Sequence, residues 1–125
     1  MGKKKENIIK DKTFAFGKRV VRMCKYLEEN KREFVLSKQL KRSGTAPGAL
    51  VRESEHAEST KDFIHKLSLA LKEANETDYW LHLIKEGDYI TSKEFESMWK
   101  DCDEIIRILV AILKTTKGGN NDKKA

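Results

Sequence analysis

Few residues in this chain are of types able to do chemistry, and they are scattered. Glu53 and His56 have the E-x-x-H spacing with which carboxylate-bridged helical bundles hold metal, and Asp62 with His65 imitates it. A working site of that kind needs inward carboxylates from two further helices near the middle of a bundle. His56 and His65 instead flank an expected hairpin at a bundle end, and His65 and His82 do not share a helical face. They read as solvated or capping histidines, so no metal and no cofactor is expected. Glu73, Glu76 and Tyr79 follow one another at i, i+3 and i+6, which places two carboxylates and a phenol on one side of a helix. Paired carboxylates can serve as acid and base, but no general-acid partner accompanies them. Ion pairs with basic residues of other helices, within or between subunits, are the expectation, and no catalytic residue is assigned. Cys24 and Cys102 fall on apolar faces of separate segments and form no zinc spacing. They read as buried free thiols of a protein in the reducing cytoplasm, with a disulfide as the alternative. The stretch "KRSGTAPGAL", residues 41–50, holds two glycines and the only proline. A close-packed kink, a short break and a ligand loop are all open, although no strand precedes it and neither G-x-G-x-x-G nor G-K-[ST] is present.

The elements that must position these residues all have helical period. Phe16, Val20, Met23, Cys24 and Leu27 form one stripe over about 13–29, with Lys18, Arg19, Arg22 and Lys25 opposite. Over about 32–57, Leu36, Gln39, Leu40, Ser43, Pro47 and Leu50 share a face and Lys38, Lys41 and Arg42 point away. Ser59 with Asp62 is a capping-box-like start for a third helix over 60–86, whose stripe is Phe63, Leu67, Ala70, Leu71, Ala74, Leu81 and Ile84. Gly87, a residue free to take positive φ, ends it. Thr91 or Ser92 caps a fourth helix over 92–116, carrying Phe95, Met98, Trp99, Cys102, Ile106, Leu109 and Leu113. Short links between four amphipathic segments predict an all-α, antiparallel up-down-up-down four-helix bundle with its second helix kinked near Pro47. Residues 1–12 are expected to be a basic flexible arm and 117–125 a disordered polar tail.

Composition narrows the classes. The longest apolar run, Ile108 to Leu113, is far short of the ~20 residues of a membrane span, and the lysine-rich start lacks the apolar region of a secretory signal. The formal charge is +6 but uneven. Residues 18–42 hold nine basic and three acidic residues, whereas 52–88 hold five and nine. That asymmetry suits nucleic acid on the basic half, or packing between unlike halves of neighbouring copies. Apolar residues off the core stripes point to self-association. Ile105, Ile108 and Ile112 form a second stripe, and Leu69, Trp80 and Leu83 lie on the side of helix three that also carries Glu73, Glu76 and Tyr79. These nine residues are the expected oligomer interface. Lys18, Arg19, Arg22, Lys25, Lys38, Lys41 and Arg42 are the expected nucleic-acid face.

"VLSKQLKRSGTAPGALVRE", "KDFIHKLSLALKEANETDYWLHLIK" and "EIIRILVAILKTTK" together resemble the bacterial four-helix-bundle family named for the 23S rRNA intervening sequence protein. The similarity runs from about Phe14 to Lys117 and combines an R-S-G-T block with E-x-x-E-x-x-Y. The chain departs from the usual pattern at Pro47, Leu50 and Ser54, where Ile, Asn and Ala are common. The resemblance implies an antiparallel bundle assembled as a ring-like homopentamer, with no known enzymatic activity. A relative, the accessory protein of diversity-generating retroelements, is a basic pentamer that binds nucleic acid and a reverse transcriptase. Three readings follow. The first is a non-enzymatic oligomeric adaptor that binds RNA or DNA, and the second a protein-interaction scaffold whose partner is itself or a co-encoded protein. The third, an enzyme or metal-binding bundle, has least support.

Overall fold

The computed structural model describes the backbone of residues 2–124 and the side chains of residues 7–118. Within it the chain forms four helices: α1 (Gly2–Asn30), α2 (Val35–Ser54), α3 (Thr60–Glu86) and α4 (Ser92–Lys124). Each helix lies beside two neighbours, α1 beside α2 and α4, and α3 beside α2 and α4. The fold is a four-helix bundle around one core. Cross-helix contacts fix its register. Along α1, Lys12 and Arg19 meet Glu104 and Asp101 of α4, and Val20 and Cys24 meet Gly44 and Ser37 of α2. Along α3, Lys66 and Thr77 meet Glu53 and Ser43 of α2. In each pair residue numbers rise along one helix as they fall along the other. None of these helices is long and apolar enough to cross a membrane.

The first helix starts well before residue 13, which corrects the expectation of a flexible arm for the part that is described. Ile9 is buried and stands i, i+7 and i+11 from Phe16 and Val20, so it extends the same stripe downward. Thr13, also buried, satisfies its hydroxyl by donating to the Ile9 carbonyl at 2.7 Å. Lys10 and Lys12 reach Glu55 at 3.1 Å and Glu104 at 2.9 Å, so their charge is held against the bundle. The second helix is shorter than expected: Arg32 takes a left-handed φ of 53° just before it, and the Glu33 carboxylate accepts from the Ser37 N–H at 3.0 Å. The fourth continues past 116 to Lys124, beyond Leu113, its last buried apolar residue.

Side chains cap the later helices. Ser59 Oγ accepts from the Asp62 N–H at 3.0 Å while the Asp62 carboxylate accepts from the Glu58 N–H at 3.2 Å. At α4 the bonds are reciprocal, with the Glu94 N–H donating to the Thr91 hydroxyl at 3.1 Å and the Thr91 N–H donating to the Glu94 carboxylate at 2.9 Å, so Thr91 is the cap. Gly87 does not take the left-handed conformation. Its φ is −79° and the left-handed residue is Asp88, at φ 62°. Gly87 serves another need, since a Cβ there would meet the Tyr89 ring at 2.9 Å.

The 41–50 stretch is neither break nor loop: α2 runs through Pro47, which is buried. Its small residues face two other helices. A Cβ at Gly44 would sit 2.8 Å from a methyl of Val20, and one at Gly48 would sit 3.4 Å from the Thr13 carbonyl oxygen, so α1 lies directly on this surface. Ser43 accepts from the Thr77 hydroxyl of α3 at 3.0 Å, a buried bond that closes both polar groups.

On α4 two residues expected at an oligomer interface are core. Ile105 is 1% exposed and Ile112 5%. Cys102, Ile105, Leu109 and Ile112 are spaced 3, 4 and 3 residues apart, the seam that keeps facing a partner helix. The centre of the buried face therefore lies nearer Ile105 than Ile106, which is only half-buried.

Candidate nucleic-acid interface

The seven basic residues expected to form one binding face divide into two kinds. Three are spent on the protein itself. Arg19 reaches across to α4, with its guanidinium 2.6 Å from Asp101 and donating to the Ser97 hydroxyl at 2.7 Å and carbonyl at 3.1 Å. Lys41 donates to Glu28 at 3.1 Å, tying α2 to α1. Arg42 bridges to α3, where Glu73 accepts at 3.1 Å and Glu76 also pairs with it. The other four, Lys18, Arg22, Lys25 and Lys38, are exposed and pair with no described carboxylate. Lys25 and Lys38 lie at one level of the bundle, beside the contact of Cys24 Sγ with the Ser37 carbonyl at 3.2 Å.

Two further cations join them. Arg22 stands on a ridge between two surface grooves. One, of ≈ 500 Å³ between α1 and α2, has Arg52 on its far wall. The other, of ≈ 530 Å³ between α1 and α4, has Lys93 beside Tyr26. Neither Arg52 nor Lys93 pairs with a described carboxylate. Sequence reasoning missed both because they lie far along the chain, and only the bundle brings them to α1. Unpaired cations at the surface can each neutralise a phosphate, whereas a paired one must first lose its own carboxylate.

The acidic set is internal. Glu73 and Glu76 hold Arg42, and Glu76 also accepts from the Trp80 indole N–H at 3.0 Å. Trp80, Leu69, Leu83 and Ile108 are half-buried, and the Tyr79 ring lies edge-on to Trp80 at 5.2 Å while remaining exposed. The carboxylates therefore bind within the subunit, and their arrangement holds α2 to α3 rather than presenting a free acid–base pair. Glu53, of the E-x-x-H pair, is taken by Lys66 at 3.1 Å, and that bond raises the Lys66 pKa. His56, His65 and His82 are exposed; His82 Nδ1 lies 2.8 Å from the Asp78 carbonyl. Among the described residues no three His, Cys, Asp or Glu side chains converge as metal ligands would.

Both cysteines are buried and free. Burial pushes each thiol from 9.0 up to about 12. For Cys24 the Lys41 charge lowers it somewhat, and for Cys102 Asp78 raises it further. Each S–H donates to a carbonyl, of Ser37 at 3.2 Å and Ala74 at 3.4 Å. A buried protonated thiol is a packing group and not a nucleophile.

These features define a four-helix bundle that offers charged and apolar outer surface. The chain belongs to the family of the 23S rRNA-intervening sequence protein, whose family model matches residues 5–111. It is also similar to a crystal structure of a protein with unknown function from the S23 ribosomal protein family of Bacteroides thetaiotaomicron. The two are 50% identical with a TM-score of 0.87, over 88% of this chain and 98% of that one. Comparison with curated proteins finds no match.

Proposed function

We propose that this protein is a non-enzymatic homo-oligomeric adaptor that holds the phosphate backbone of a nucleic acid along the outer face of α1. The family resemblance implies the assembly, a pentameric ring. The observation that carries the binding face is the set of cations without carboxylate partners, Arg22, Lys25 and Lys38 with Lys93 beside them. Copies in one ring would present this set repeatedly to a single strand, which raises avidity without new contacts. Contacts of this kind neutralise charge and carry no sequence preference.

The test compares spent with free cations in oligonucleotide binding by fluorescence anisotropy. Lys25→Glu with Lys38→Glu should weaken binding about tenfold or more and flatten its salt dependence, since each lost phosphate contact removes roughly 0.9 from the slope on double-stranded DNA. Lys41→Gln should change affinity less than about twofold, because that charge is already held by Glu28. Equal losses from the two variants, or no loss from either, would remove the assigned face.

A further inference from the structure

We propose that the groove between α1 and α2 is the docking site of a partner protein's acidic amphipathic helix, a surface distinct in chemistry from the phosphate track. The groove occupies ≈ 500 Å³ and spans Thr13 to Arg22 on one wall. Phe14 and Val21 stand in it 52% and 50% exposed, a large share for apolar side chains that stand one above the other. They are seven residues apart, about 10 Å along the helix, the pitch at which a docked helix repeats its own i and i+7 anchors. Between them Gly17 leaves the floor open, for a Cβ built there meets nothing within 4 Å.

The floor offers apolar contact and little else. Its two threonines are already satisfied: Thr13 donates to the Ile9 carbonyl and Thr45 to the Lys41 carbonyl, each at 2.7 Å. The floor itself offers a nucleobase no free donor for its polar edges, so leucine-like side chains fit it better than bases. The rim is basic on both walls, with Lys18 and Arg22 on α1 and Arg52 on α2, and no carboxylate lines it. Lys18 and Arg52 both stand over the Phe14 ring, at 5.0 and 5.1 Å, which places their charges at the groove mouth. An occupant with acidic residues flanking an apolar stripe satisfies both features.

Two exposed apolar positions that a second copy could offer have basic flanks, Val35 with Lys38 and Val110 with Lys114. At Tyr79 the Glu73 and Glu76 carboxylates are already held by Arg42. The proposed occupant is a different polypeptide, and a second copy is the alternative that particle mass reads.

The probe is a fluorescein-labelled peptide of about 15 residues with leucines at i, i+3 and i+7 and glutamates on both flanks, compared with the same peptide carrying lysines. The glutamate peptide should bind the full-length protein saturably, and the lysine peptide should not. Gly17→Leu fills the floor without touching the core, and leucine is the better helix former, so the fold is kept. It should weaken the glutamate peptide about tenfold or more, and Arg52→Glu should do the same, while oligonucleotide binding by Gly17→Leu stays within about twofold. Peptide binding that ignores Gly17→Leu or the change of flanking charge overturns the proposal. So does a fall in particle mass on Gly17→Leu, which would make a second copy the occupant. Loss of oligonucleotide binding by that variant would assign the groove to nucleic acid and overturn it too, while leaving the phosphate track standing.

Discussion

At Gly44 the absence of one methyl group decides how closely two helices approach. The hypothetical Cβ lies 2.8 and 2.9 Å from both methyls of Val20, and Val20 is itself fully buried, so it has no free rotamer into which to withdraw. In an unhindered helix Gly→Ala would stabilise by roughly 1 kcal/mol. Here overpacking opposes it at about 1–3 kcal/mol, so Gly44→Ala should be destabilising or at best neutral, read as a lower urea midpoint at constant slope. Shortening the neighbour settles the cause. In a Val20→Ala background the same Gly44→Ala change should become stabilising, and a cost that survives there would show that the methyl contact is not responsible. The thiols give a second residue-level prediction. Each is held protonated by burial, with its pKa at about 12 in the native protein against 9.0 for the exposed group. As pH rises past 9 the unfolded chain releases these protons and the native one keeps them, so stability falls between pH 9 and 12 and is unaffected below. Thiolate absorbance, read as the difference from the Cys24→Ser, Cys102→Ser protein, should therefore be missing from the native protein at about pH 10 and present in urea. Titration at the ordinary cysteine pH in the native state would mean that the two sulfurs reach water.

Among the elements, the four helices were legible because each repeats its buried face at helical period, apolar in α1, α3 and α4 and mixed with small residues in α2. Their inner boundaries were legible where a side chain caps, at Ser59 and Thr91. The errors have local causes. Around Ile9 the lysines outweigh a single isoleucine in any count of polarity, yet Ile9 is placed by its distance from Phe16 and Val20 and not by its neighbours. On α4 a helical wheel gives the direction of the apolar arc but not its centre. Ile105 and Ile106 are both candidates until the neighbouring helices choose, and α1 and α3 choose Ile105. Glycine tolerates the left-handed conformation best, which points to Gly87, but Asp88 adopts it and Gly87 instead makes room for Tyr89. The candidate site was half legible for the same reason. Its cations could be assigned to outward faces from one helix at a time. Whether a cation is free depends on cross-helix register, which brings Asp101 to Arg19 and Glu73 to Arg42 while leaving Lys25 and Lys38 alone.

For the whole molecule, assembly and charge are one question. With Ile105 and Ile112 turned into the core, self-association has to use what remains outside, of which Tyr79 is 56% exposed and Leu69, Trp80, Leu83 and Ile108 are half-covered. If copies cover one another through this side, light scattering should give a particle several times the 14.5 kDa chain, and Tyr79→Gln with Ile108→Gln, which add no charge, should reduce it to the chain mass. The reduction then acts on binding. Every copy brings its own Arg22, Lys25, Lys38 and Lys93, so a strand laid across several copies releases more counterions than one bound to a single copy, and its affinity falls more steeply with salt. The assembled protein should therefore show the larger slope of log affinity against log salt, and the single-chain variant a smaller slope with weaker binding at every salt concentration, although no cation has been changed. Equal slopes would mean that each strand rests on one copy whatever the assembly does. A wild-type particle of chain mass would remove the ring, and with it the gain from repetition, while leaving the cations of α1 to be judged by charge reversal alone.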